Sequence, residues 1–138
     1  MLRRVALAVL VAALAAAAEA GAAVTSDAQV KAAVTKEIAA VSHQKGKSLE
    51  SAIKSARAAL VAAKPDSSKA TSAKALGLQA AGKASLAGAE QVKAEQDNTR
   101  MQYSGANAQT ALATKNLQAA GTLLNKAAAL LGLTQRVH

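Results

Sequence analysis

The residues that could do chemistry in this 138-residue chain are few: two histidines, a Gly-Lys-Ser triplet and eight carboxylates. Gly46-Lys47-Ser48 has the last three residues of a phosphate-cradling loop. Such a loop also needs a glycine five residues earlier and a strand before it, and Val41 stands there instead. The triplet therefore reads as a helix break followed by a capping serine, Ser48. His43 and His138 are the only imidazoles, and no His or Glu pair stands at i,i+4 to converge on a transition metal. His43 reads as a solvated loop residue, and His138 as the frayed last residue. Glu50, Asp66 and Glu90 lie far apart, and no Ser or Thr sits in a Gly-x-Ser-x-Gly turn beside a base with an orienting partner. No catalytic residue is assigned and an enzyme is not expected.

Composition closes further routes. The absence of Cys removes disulfides, thiolate metal sites and Cys nucleophiles. A single aromatic residue, Tyr103, leaves nothing to stack bases or sandwich a ring cofactor, so no cofactor and no specific nucleic-acid partner is expected.

The elements available to position any site are helical, because 40 of the residues are Ala, the strongest helix former. Met1-Leu2-Arg3-Arg4 precedes an unbroken apolar run from Val5 to Ala18, and Ala18-Glu19-Ala20 fits the small-x-small rule for cleavage before Gly21. Residues 1–20 thus read as a signal peptide. The run falls short of the roughly 20 apolar residues of a spanning helix. Export follows, to a periplasm or medium. A bacterial origin is favoured, since an exported domain without Cys or an Asn-x-Ser/Thr sequon is less usual in eukaryotic secretion.

Residues 21–138 are expected to form one all-α domain, an antiparallel up-and-down bundle of three or four Ala-rich helices over about 26–43, 48–64, 68–100 and 106–131. Ser26-Asp27 starts the first, with Asp27 placed to pair with Lys31. Val30, Val34, Ile38 and Val41 then fall within an arc of about 80°. Leu49, Ile53, Ala56, Leu60 and Ala63 recur at 4-3-4-3 spacing in the second, where Glu50 is placed to pair with Lys54, and Lys64-Pro65 ends it. A hairpin at Gly46 is favoured over one continuous helix, because nothing apolar occurs from Ser42 to Ser48.

From Ser68 to Arg100 the pattern weakens. Leu76, Leu78, Leu86 and Val92 share no face, and Gly77, Gly82 and Gly88 each cost a helix about 1 kcal/mol, so a break near Gly82 or partial disorder is anticipated. In the last helix Leu112, Leu117, Ala120, Leu123, Leu124, Ala127, Leu130 and Leu131 span about 140°, with Gly132 as the stop. Leu78-Gln79-Ala80-Ala81-Gly82 recurs as Leu117-Gln118-Ala119-Ala120-Gly121, which either a duplicated hairpin or Ala-rich composition produces.

Only 21 Leu, Ile and Val occur after residue 20, near the border where compositions shade into disorder. A thin core of marginal stability follows, packed by Ala-to-Ala contact or completed by self-association or a protein partner. Residues 21–138 carry 15 basic and 7 acidic residues, a net charge of +8. That excess reads first as a solvated, solubilising surface on a binding or structural module of unknown ligand; the alternative is a binder of an anionic surface such as a membrane, lipopolysaccharide or another polyanion. Lys69, Lys74, Lys83 and Lys93 nevertheless fall on different helical faces.

The stretch from Ala40 to Leu60, a His-x-x-Gly-Lys turn between Ala-rich helices after a signal, resembles the periplasmic small metal-binding protein family of nitrifying bacteria. The resemblance covers about 20 residues and implies a short up-and-down bundle binding divalent metals through histidines. His43 is the one match to a family histidine; Lys, Ser and Ala occupy the positions that would carry the others. Metal binding is implied at His43 alone.

Overall fold

The computed structural model describes residues 26–138, and the expected signal peptide lies outside them. These residues form four helices and no strand: α1 (Ser26–His43), α2 (Gly46–Ala62), α3 (Ser68–Thr99) and α4 (Tyr103–Leu131). The protein is all-α. The helices run alternately up and down; α3 packs against all three others, α1 likewise, and α2 and α4 do not touch.

α1 and α2 are separate helices joined by a two-residue turn. Gly46 takes a left-handed φ of 54°, a conformation that any side chain would strain. Ser48 does not cap α2, as the sequence suggested. The helix begins two residues earlier, Lys45 occupies the cap without a side-chain bond, and the Gly46 N–H donates to Gln91 Oε1 on α3 at 2.7 Å. A partner helix supplies the acceptor that a capping serine would have given. Asp27 likewise does not serve Lys31. Its Oδ1 accepts from the backbone N–H of Asp66 at 2.8 Å and of Ser67 at 3.2 Å, tying the start of α1 to the α2–α3 link. The Ser67 side chain first, and then these two backbone bonds, hold its carboxyl below the usual carboxylate range. Ser67 in turn caps α3, accepting from the Ala70 N–H at 3.1 Å. Lys74 donates from Nζ to the Ala63 carbonyl at 2.6 Å, satisfying the end of α2 ahead of Pro65.

No break occurs near Gly82; α3 is one helix of 32 residues. Its buried face is Ala70, Ala73, Gly77, Ala80, Ala81, Ala84, Ala87, Gly88 and Ala94, and not the leucines. Two glycines are notches for neighbouring chain. A Cβ on Gly77 would lie 2.8 Å from Leu60 Cδ1, and one on Gly88 would lie 2.9 Å from the Gly46 carbonyl oxygen. Gly82 faces open space. In α4 the buried arc also shifts to small residues, Ala106, Ala113, Ala120, Gly121, Ala127 and Ala128 with Leu124, and leaves Leu112 46% exposed. Both copies of the Leu-Gln-Ala-Ala-Gly segment bury small residues, Ala80-Ala81 in α3 and Ala120-Gly121 in α4.

At 1.5 Å per residue α3 and α4 extend about 48 and 44 Å, against about 26 Å for α2. Because the α1–α2 turn meets α3 at Gln91, the α3–α4 hairpin projects roughly 12 Å beyond it. At its tip the Met101 N–H donates to Asn98 O and the Gln102 N–H to Asp97 O, a helix stop that normally uses glycine. Met101 adopts φ 59° there and is 75% exposed, beside Tyr103 at 60%. Gly132 ends α4 in the same way, at φ 68°. The tail beyond is docked, not frayed. Asn125 donates to the Val137 carbonyl at 3.0 Å and accepts the Val137 N–H at 2.8 Å, so the chain runs back against the core as far as His138.

Three substitutions separate these glycine and αL roles in thermal or urea unfolding. Gly82→Ala stabilises the fold by about 1 kcal/mol, since the position is open and helical. Gly88→Ala destabilises it by about 1–3 kcal/mol, since a backbone carbonyl stands in the way. Met101→Gly stabilises it by about 1 kcal/mol by relieving the left-handed strain.

Candidate functional site

Three places in the molecule gather groups that could act: a buried carboxyl, a cleft between the histidines and a groove between α2 and α3.

Glu37 is the one charged residue buried among the described residues, with no exposed surface. It lies three residues after Val34 and four before Val41, at the edge of the apolar arc that turns α1 toward the bundle. Neither carboxyl oxygen has a hydrogen-bond partner. Burial alone pushes its pKa up to about 8, with no neighbouring charge contributing, so Glu37 is neutral in the folded protein at neutral pH. The available signal for Glu37 in the sequence is its place about 20° from Val30, at the edge of the Val30–Val41 arc.

His43 and His138 border one shallow cleft of about 320 Å³, together with Ile38, Ser42 and Arg136. The Arg136 guanidinium donates to the carbonyls of Leu133 and Gln135 at the edge of this cleft. Both histidines are exposed, and no carboxylate joins them. Among the described residues no three of His, Cys, Asp or Glu converge on a point that could hold a metal. Gly46-Lys47-Ser48 sits at the start of α2, where Gln91 already takes the Gly46 N–H.

A groove of about 980 Å³ is lined, among the described residues, by α2 and α3. Ile53 and Ala81 form part of its floor, both buried. Lys54 and Arg57 stand on its α2 wall and Gly82 on its α3 wall, with Val61 and Leu86 as exposed apolar knobs at 61% and 53%. Lys54, Arg57, Ala58 and Val61 follow i, i+3, i+4, i+7 spacing, so they form one stripe along α2. Glu50 is half-buried at the end of the groove near Gly88, where a Cβ would come within 2.8 Å of its Cγ.

The charges around these features are unbalanced. Of the 15 basic residues, 13 are exposed and only Lys74 and Arg136 are half-buried. No Lys or Arg among the described residues forms an ion pair, including Lys31 with Asp27 and Lys54 with Glu50. Three acids are spent inside the fold. Asp27 holds the α2–α3 link, Glu37 is protonated, and Glu90 accepts from Asn116 Nδ2 with both oxygens at 3.0 Å. A neutral Glu37 raises the net charge of residues 21–138 from +8 to +9.

No family model, no curated protein and no solved structure matches this chain.

Glu37 sets a pH dependence whose sign is fixed by its two states. The folded protein holds the proton up to about pH 8, whereas the unfolded chain releases it near the ordinary value of 4.5. Stability therefore falls as pH rises between these values, by roughly 1 kcal/mol per unit, and levels off above about pH 8. Urea midpoints measured from pH 5 to 9 should show this decline in the native protein. Glu37→Gln should remove most of the slope.

Proposed function

We propose that this chain is an exported, non-enzymatic helical binding module whose partners are anionic. The observation that carries the reading is the unpaired basic surface. Thirteen exposed cations form no ion pair among the described residues, while Asp27, Glu37 and Glu90 are engaged internally. Such a surface lowers the free energy of any phosphate- or carboxylate-rich partner that approaches it, in a manner that salt screens.

The non-enzymatic part is supported by Glu37, whose carboxyl has no hydrogen-bond partner, and by the exposure of both histidines. Export rests on Arg3-Arg4, the Val5–Ala18 run and the Ala18-Glu19-Ala20 site. No helix among the described residues is long and apolar enough to cross a membrane.

Binding of the chain to heparin and to phosphatidylglycerol vesicles, each followed against salt, tests this reading. Engaging two or three cations should weaken association on the order of tenfold between 50 and 200 mM salt. Neutral phosphatidylcholine vesicles should bind weakly at any salt. Equal binding to neutral and anionic probes, or affinity indifferent to salt, would contradict the proposal.

A further inference from the structure

We propose that the α2–α3 groove docks an acidic amphipathic helix of a partner protein. The proposal rests on the anionic-partner reading and assigns it a place and a shape.

Two antiparallel helices present a groove on each side. α1 packs on one side of the α2–α3 pair, touching both. Among the described residues the other side is lined by α2 and α3 alone. The lined part of α2 runs from Glu50 to Ala62, about 18 Å, the length of some three helical turns. At its middle stand Ala58 and Gly82, which offer almost no side chain, and the space over Gly82 is open. An incoming helix can therefore approach to the 8–10 Å that close helix packing requires. Val61 and Leu86 stand as exposed apolar knobs on opposite walls, α2 and α3, available to an apolar stripe.

Charge selects among occupants. Lys54 and Arg57 lie near the midpoint of the groove, exposed and without an ion pair. A second copy placed on this groove by a two-fold axis would set Lys54 and Arg57 against the same two cations, which is repulsive. An acidic helix places carboxylates there instead, and a basic residue at its end would meet Glu50. An acyl chain would be better served by an enclosed cavity, whereas this groove is open along its length and floored by Ile53 and Ala81.

The test uses a fluorescein-labelled peptide of about 18 residues, leucines on one helical face and glutamates on the other. A scrambled peptide of the same composition, heparin and phosphatidylglycerol vesicles serve as comparisons. Gly82→Gln fills the groove at an open position, and its melting temperature should not fall. That variant, and separately Lys54→Glu with Arg57→Glu, should each weaken the amphipathic peptide about tenfold or more. Lys115→Gln with Lys126→Gln on α4 should change it by no more than about threefold.

Equal binding of the scrambled peptide, or an unchanged affinity in Gly82→Gln, would overturn the proposal. So would vesicle binding or a dimer in sedimentation that Gly82→Gln abolishes, since the occupant would then be a lipid or a second copy. Failure of the peptide with heparin binding retained removes the groove and leaves the anionic-partner reading standing. Failure of both removes both.

Discussion

The closeness with which α3 can approach its neighbours is the constraint on which the rest of this structure depends. With Gly77 and Gly88 lacking a Cβ, Leu60 seats against one backbone position and the Gly46 carbonyl against the other. Alanines fill the seam between these notches, and Ala120, Gly121, Ala127 and Ala128 do the same on α4. Packing at backbone distance replaces bulk: dispersion contacts between many small groups stand in for the burial of a few large ones. The fully buried large side chains reduce to Leu49, Ile53, Leu60, Leu124, Val30, Val34 and Glu37.

That economy has consequences at the surface. A seam of Ala and Gly needs no leucine, so Leu86, Leu112 and Val61 remain exposed, and the outer α2–α3 groove is left shallow with small residues at its middle. It has a consequence inside as well. Glu37 occupies a place in the α1 arc that an apolar residue would fill without cost, and burial without a partner keeps its carboxyl protonated. Asp27, Glu37 and Glu90 are thus engaged within the fold while 13 of the 15 cations stay exposed. The binding reading follows from this asymmetry more than from any one site.

How far the sequence revealed this depended on side-chain size. In α1 and α2 the buried positions Val30, Val34, Ile38, Leu49, Ile53 and Leu60 are the same large residues that the periodicity marks; Gly132 stops α4 where it stands, and α2 ends at Ala62, shortly before Pro65. The all-α class and the alternating helices were legible for that reason. α3 was not, because a hydrophobic pattern weighs Leu76, Leu78 and Leu86 above Ala, whereas this helix buries Ala and Gly at spacings of three and four. A pattern counted in small residues would have found its face. Ser48 and Asp27 were misassigned since local spacing ignores a distant competitor: Gln91 displaced the serine cap, and the Asp66 and Ser67 N–H groups displaced Lys31. His138 is held near the core by Asn125 through its neighbour Val137, a contact 12 residues long in sequence that no motif announces. Of the groove, Lys54 and Arg57 were visible as charge, but their meeting with Gly82 and Leu86 is a property of the hairpin.

The claim that a close-packed Ala and Gly seam holds this bundle together unaided is tested most directly by unfolding the chain from Gly21 onward. Far-UV circular dichroism would be followed at two protein concentrations a hundredfold apart. The account predicts strong helicity and one cooperative transition whose midpoint is the same at both. Weak helicity, or a midpoint that climbs with concentration, would contradict it, because the core would then be completed by another chain.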